Sequence, residues 1–205
     1  STVEAEAAKG FRIIASAMKL IPKNTVPTCT ATTDIQAQVA SLTFLGIALL
    51  RDPIREDVRD AVRITREAGI RIIMATGDHK LTAVSIGKEL GFSSDDAAVL
   101  LGSDMDALSD SELQARLSTV EILSRVSPEH KMRVVTLLRQ SGEVVAMTGD
   151  GVNDAPGLKA ADLGVALESG SDVSKEAADL VLLDNSFSTI TEAIRQGRIA
   201  FDNIR

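Results

Sequence analysis

The 205-residue chain has no Trp, no Tyr, one Cys and two His, and its aromatic share of 2% is five Phe. So few rings give neither stacking platforms nor cation–π cages, which argues against single-stranded nucleic acid as a partner. The lone Cys29 rules out an intrachain disulfide and a cysteine zinc site, fits a reducing compartment, and has nothing beside it in sequence to activate a thiolate. His79 and His130 lie far apart without HxxxH or HExxH spacing, so no two-histidine metal centre is expected. Basic charge is also short: 22 Lys and Arg face 29 Asp and Glu, for a net charge of -7. That balance lacks the electrostatic footprint for a phosphate backbone or an anionic membrane surface, so no nucleic acid is expected as a partner. Any phosphate bound here must be handled locally, by a loop, a lysine or a divalent cation.

Long apolar runs are missing as well. None approaches the ~20 residues of a membrane-spanning helix, and the opening STVEAEAAKG has neither the basic nor the apolar region of a signal peptide. These residues therefore read as a soluble segment. The chain starts without Met and stops inside a helical pattern at Phe201–Arg205, and is expected to be a piece of something longer.

What is present is a 44% hydrophobic composition, enough to bury a core. Residues 3–8 read as helical, Phe11–Ile21 as extended, and the Pro/Thr/Asn-rich stretch Pro22–Asp34 as a loop. From Leu42 onward, short apolar runs alternate with amphipathic segments, the pattern of βα units around a mostly parallel sheet. The runs are Leu42–Leu50, Ile70–Ala75, Glu121–Val126, Val144–Thr148, Leu163–Leu167 and Leu180–Leu183. Helical faces end at Gly69 and Gly91, Ser109–Glu112 forms a capping box, Ser127–Pro128 opens a helix over 129–140, and a last helix spans about 188–204.

A sheet of this kind binds ligands beyond the carboxyl ends of its strands. Thr76-Gly77-Asp78 follows one run and can cradle a phosphate, although alone the tripeptide is more often an ordinary turn. Thr148 to Pro156 follows another, where Asp150, Asn153 and Asp154 offer oxygen ligands on a glycine-rich turn that suits Mg²⁺. Lys131 stands near a helix N-terminus, where the macrodipole favours an acid. It points to a nearby anion, or is simply an exposed lysine. Together these residues read as a phosphoryl-transfer site, where catalysis is mostly positioning and charge neutralisation.

Asp52-Pro53-Ile54-Arg55, Thr76-Gly77-Asp78, Arg125 to Lys131 and Thr148 to Pro156, in this order and spacing, closely resemble the phosphorylation domain of P-type cation-transporting ATPases. That domain belongs to the haloacid dehalogenase-like superfamily. The resemblance runs from about residue 10 to the end. It implies a Rossmann-like α/β fold with a mostly parallel sheet and helices on both faces, incomplete because the nucleophile strand is absent. It also implies a boundary near 40/41, with residues 1–40 ending a nucleotide-binding domain and 41–205 forming the phosphorylation domain. By that resemblance Asp150 and Asp154 are the metal-side carboxylates, Asn153 and Asp154 organise the phosphate, and Thr76 and Gly77 bind phosphoryl oxygens. Asp78 supports that loop, Lys131 neutralises the phosphoryl and aspartyl charge, and Asp52, Arg55 and Arg125 lie near the ribose and phosphates of ATP. The implied cofactors are Mg²⁺ and ATP.

The family's phosphate-accepting aspartate lies in a DKTGT motif, which this sequence does not contain. The nearest decoy, Asp104-Met105-Asp106, precedes a capping box and reads as solvated loop acids. The expectation is a portion of an ATP-driven pump, inactive without the missing N-terminal part of the same protein. The parent is expected in a membrane with this segment on the cytoplasmic side. The transported cation, with Ca²⁺ favoured, is expected on membrane helices outside the chain. The alternatives are a soluble phosphatase of the same superfamily and a non-catalytic regulatory module that kept the fold.

Overall fold

The computed structural model describes residues 6, 10–21, 39–50 and 53–204, and it divides into two compact units, 1–52 and 53–205. In the first, β1 (Arg12–Met18) pairs antiparallel with β2 (Thr43–Leu50), from Arg12 opposite Leu50 to Met18 opposite Thr43, with a register shift at Ser16/Ala17. Ile14, Met18, Phe44, Leu45, Ile47 and Leu49 stay exposed, so the ribbon is apolar on both faces. A two-stranded ribbon of this kind is marginal in water by itself.

This pairing corrects one sequence expectation. The run Leu42–Leu50 was expected to open the parallel sheet, but it turns back on β1. Cross-strand hydrogen bonding outweighs sequence proximity to the βα units. The loop at Pro22–Asp34 and all of the early helix but Glu6 lie outside the described residues.

The second unit carries α1 (Glu56–Glu67), β3 (Met74–Ala75), α2 (Lys80–Glu89), β4 (Val99–Leu101), α3 (Gly102–Ala107), α4 (Asp110–Leu117), β5 (Ile122–Ser124) and α5 (Pro128–Gln140). Then come β6 (Ala146–Gly149), α6 (Ala155–Ala160), β7 (Leu163–Leu167), α7 (Asp172–Ala177), β8 (Leu180–Leu182) and α8 (Phe187–Ile204). The strands form two parallel sheets, β3-β5-β4 and β6-β7-β8, so β3 and β6 are both outer strands among the described residues. This is the expected α/β fold of parallel strands flanked by helices, with the sheet in two halves.

Helix ends follow the sequence. Gly69 and Gly91 adopt φ of +78° and +80° just past α1 and α2, a backbone that only glycine takes without strain. Both capping boxes form: the hydroxyls of Ser109 and Ser127 accept from the amides of Glu112 and His130.

β5 is the spine of the core because its neighbouring side chains face opposite ways. Leu123 packs with Leu100, Met105, Leu113, Leu117, Val134 and Leu137. Ile122 packs on the other side with Val62, Ala83, Phe92 and Val99. Burying each such side chain contributes roughly 1.5–3 kcal/mol. Segment 92–120 thus supplies a strand and much of the larger cluster. β4 escapes the apolar-run search because three residues, Val99–Leu101, make all of it.

Candidate functional site

Two loops leave the carboxyl ends of β3 and β6. After β3, the Thr76 amide donates to the Leu123 carbonyl (2.9 Å), Val126 donates to the Thr76 carbonyl (3.2 Å), and Arg125 donates to the Asp78 carbonyl (3.1 Å). The Thr76 hydroxyl donates to Asp78 Oδ2 and accepts from the Asp78 amide, both at 3.1 Å. The turn is therefore stitched to the loop after β5 and closed on itself. At its tip, a Cβ on Gly77 would meet nothing within 4 Å. No neighbouring atom demands glycine there, and the backbone stays open to an approaching ligand.

After β6, the Asp150 carbonyl accepts from the Ser171 amide (2.8 Å) and the Ser174 hydroxyl (3.0 Å), while its carboxylate is exposed. Asn153 is exposed on the turn Val152–Asp154. Asp154 is buried: Oδ2 accepts from the Gly151 amide (3.2 Å) and Oδ1 accepts from Lys131 Nζ at 2.6 Å. A Cβ at Gly149 would overlap the Asp154 side chain, so glycine at the strand end lets that carboxylate fold inward. Lys131, in the first turns of α5 with its side chain 18% exposed, ties the β5–α5 connection to the β6 loop through a charge-assisted bond.

The structure thus joins Asp78 to the backbone of Arg125, Thr76 to the backbone of Leu123 and Val126, and Lys131 to Asp154. Gly77, Asp150 and Asn153 sit on the two motif loops with outward faces. Arg55 stands apart from these bonds: its guanidinium donates to the Asn185 carbonyl, at the turn before α8. Asp52 lies outside the described residues. Arg125 takes φ of +54°, unusual for a side chain with a Cβ and costing about 1–2 kcal/mol.

Asp150 meets the needs of a hard cation that keeps several waters and takes only one or two protein carboxylates. Its carboxylate has no hydrogen bond or ion pair among the described residues, while both oxygens of Asp154 are engaged within the chain. No group of three or more acidic, His or Cys side chains is arranged for a metal among the described residues. Two other acids are committed elsewhere. The Glu129 carboxyl is held below its ordinary value, first by the Ser127 hydroxyl. Asp162 is lowered chiefly by the Val145 amide, with burial opposing and Arg139 assisting, and so anchors the entry to β6.

Sequence reasoning missed a second set of contacts. Asp106, expected to be a solvated acid, accepts from His130 Nε2 at 2.7 Å, and Asp104 accepts from the Leu101 amide at the start of α3. Ser124 Oγ, at the end of β5, is fully buried without a hydrogen-bond partner among the described residues. A cavity of about 600 Å³ opens at the other end of β3 and β5, lined by Arg66 and Arg71. Both guanidiniums are spent on Glu121, Glu143 and main-chain carbonyls, leaving that cavity no ready anion site.

A family model described as haloacid dehalogenase-like hydrolase matches residues 4–162, and a second of the same description matches 132–194. The chain is 47% identical over 173 residues to calcium-transporting ATPase 1 of Bacillus cereus, covering 84% of this chain and 20% of that protein. It is 41% identical over 203 residues to calcium-transporting ATPase 1 of Lactococcus lactis, covering 98% and 22%. Calcium-transporting ATPase type 2C member 2 of Homo sapiens is 42% identical over 169 residues, covering 82% and 18%. The chain spans about a fifth of the length of these relatives.

Proposed function

The chain belongs to the haloacid dehalogenase-like hydrolase family, and from that premise we propose that it is the later part of the cytoplasmic catalytic unit of a P-type ATPase pumping Ca²⁺ across a membrane. The observation that carries the reading is the 2.6 Å bond from Lys131 to Asp154, which fastens the connection after β5 to the loop after β6. A phosphoryl-transfer site needs its cation and its acids held together in this way, because catalysis there consists mostly of positioning and neutralisation.

In this reading a carboxylate oxygen of an aspartate outside these 205 residues, on a strand that joins the outer edges of β3 and β6, attacks the γ-phosphorus of ATP, ADP leaves, and water later hydrolyses the acyl phosphate to inorganic phosphate. The Gly77 amide holds one phosphoryl oxygen, and Thr76 Oγ1 turns its single proton from Asp78 Oδ2 to another when the phosphoryl group arrives, while the Asp78 amide keeps Oγ1 in place. Lys131 balances the developing negative charge, with Asp154 holding its ammonium in place. Asp150 would hold Mg²⁺, with Asn153 and Asp154 organising its surroundings, and the bound cation supplies further charge neutralisation. Arg125, Arg55 and Asp52 serve the nucleotide. Residues 1–40 end the nucleotide-binding domain and 41–205 form the phosphorylation domain, and the ribbon of β1 and β2 between them has two apolar faces that call for more protein around them. The transported ion binds on membrane helices outside this chain; no described helix here is long and apolar enough to cross a membrane.

The test is ATP-driven uptake of ⁴⁵Ca²⁺ into vesicles containing the complete protein. Uptake is expected, with Asp150→Asn and Lys131→Ala each reducing it at least a hundredfold, while the 205-residue chain alone hydrolyses no ATP. Phosphatase turnover without any transport would contradict the proposal.

A further inference from the structure

Lys131 can serve the site only if α5 begins in one fixed position, and the residue before it is held on three sides. The Ser127 amide donates to His130 Nδ1 at 3.1 Å, and His130 Nε2 lies 2.7 Å from Asp106 Oδ1. An acceptor at Nδ1 leaves the proton of the neutral ring on Nε2, where it is donated to Asp106. The third side is Gly102, the first residue of α3: a Cβ there would lie 2.9 Å from His130 Nδ1 and overlap the Arg125 carbonyl oxygen. The ring is nearly buried, at 14% exposure.

We infer that His130 is a positioning residue for Lys131, a clamp between the Ser127 amide and the Asp106 carboxylate that fixes the first turn of α5. A capping box usually places Glu or Gln at this third position, where the side chain reaches back to the cap residue's amide. His130 does the same with Nδ1 and adds what Gln lacks in this geometry, a rigid ring whose far side is anchored to α3. The same segment holds the Thr76–Asp78 turn, because Arg125 and Val126 donate to Asp78 and Thr76. One clamp therefore sets both the lysine and the phosphate loop. The inference rests on the pump reading for what Lys131 does, but not for how it is held.

The test is a double-mutant cycle on ATP hydrolysis by the complete protein. His130→Ala is expected to lower kcat about tenfold with KM for ATP unchanged, and to cost less than twofold when Lys131 is already Ala. His130→Gln restores the Ser127 acceptor and recovers most of the rate, and Asp106→Ala, at an exposed carboxylate, lowers kcat about threefold without threatening the fold. Equal losses from His130→Ala in both backgrounds, or no loss, overturn the inference. Amide exchange at Ser127 decides the clamp independently: protection is expected in the parent and in His130→Gln, with exchange at least tenfold faster in His130→Ala. If the complete protein hydrolyses no ATP, the functional reading falls. Unchanged Ser127 exchange then overturns the clamp, and accelerated exchange upholds it.

Discussion

Lys131 and Asp154 form a pair whose side chains are 18% and 11% exposed. Removing one member of such a pair leaves the other's charge desolvated without compensation, so Lys131→Met is expected to destabilise the surrounding fold by about 3 kcal/mol. Hydrogen exchange of the Gly151 and Asp154 amides would report it, and unchanged protection would show that the ammonium does little for Asp154. Ser124 makes the opposite case. A buried hydroxyl without a partner carries a desolvation cost of roughly 1–3 kcal/mol, so Ser124→Ala is expected to slow exchange in β5. Faster exchange would mean that a bound water satisfies Oγ. At this scale sequence reading found the acids, the lysine and the TGD turn by residue type and spacing. It missed Asp106, because an Asp-x-Asp on a loop looks solvated until the His130 ring is seen against it. It also could not see that Asp154 turns inward while Asp150 faces out, since that depends on the missing Cβ of Gly149.

Among elements, α8 shows how a single carboxylate docks a helix. Asp57, in the first turn of α1, accepts from the Ser186 hydroxyl (2.6 Å) and from the amides of Phe187 (3.1 Å) and Ser188 (3.4 Å) at the start of α8. Its carboxyl is held below the ordinary 3.8, chiefly by the Ser186 hydroxyl against the opposing effect of burial. A depressed carboxylate stabilises the fold above its unfolded value and loses that contribution as the pH falls through its folded one. The docking of α8 on α1 is thus expected to loosen below about pH 4. Exchange at the Phe187 and Ser188 amides should accelerate there, while Asp57→Asn should show fast exchange at every pH. The helices were legible because their caps are local chemistry: Ser109, Ser127, Gly69 and Gly91 mark ends wherever they stand. β2 was not, because an apolar run does not say which strand it pairs with, and β1 lies across a long connection.

For the whole molecule, two three-stranded parallel sheets leave β3 and β6 as outer strands, each ending in a loop that carries part of the site. Exposed strand edges invite pairing with another chain. The 205 residues alone are therefore expected to self-associate or unfold at low denaturant, and cooperative unfolding of a stable monomer would contradict this. In the proposed reading the sequence carries four motifs of the phosphorylation domain in order, and the DKTGT it does not contain lies elsewhere in the same protein. Neither the division of the sheet nor the place of 92–120 in the core could be read from apolar runs, because both depend on which strands lie side by side.

The central claim is that this chain builds the cation and phosphate side of a site whose nucleophile lies elsewhere in the same protein. Quenching the complete protein with acid during turnover of [γ-³²P]ATP and mapping the label by mass spectrometry tests it directly. The account predicts one acyl phosphate, on an aspartate outside these 205 residues, lost on Asp150→Asn. Label on Asp104, Asp150 or any other residue within them, or no label at all, would contradict it.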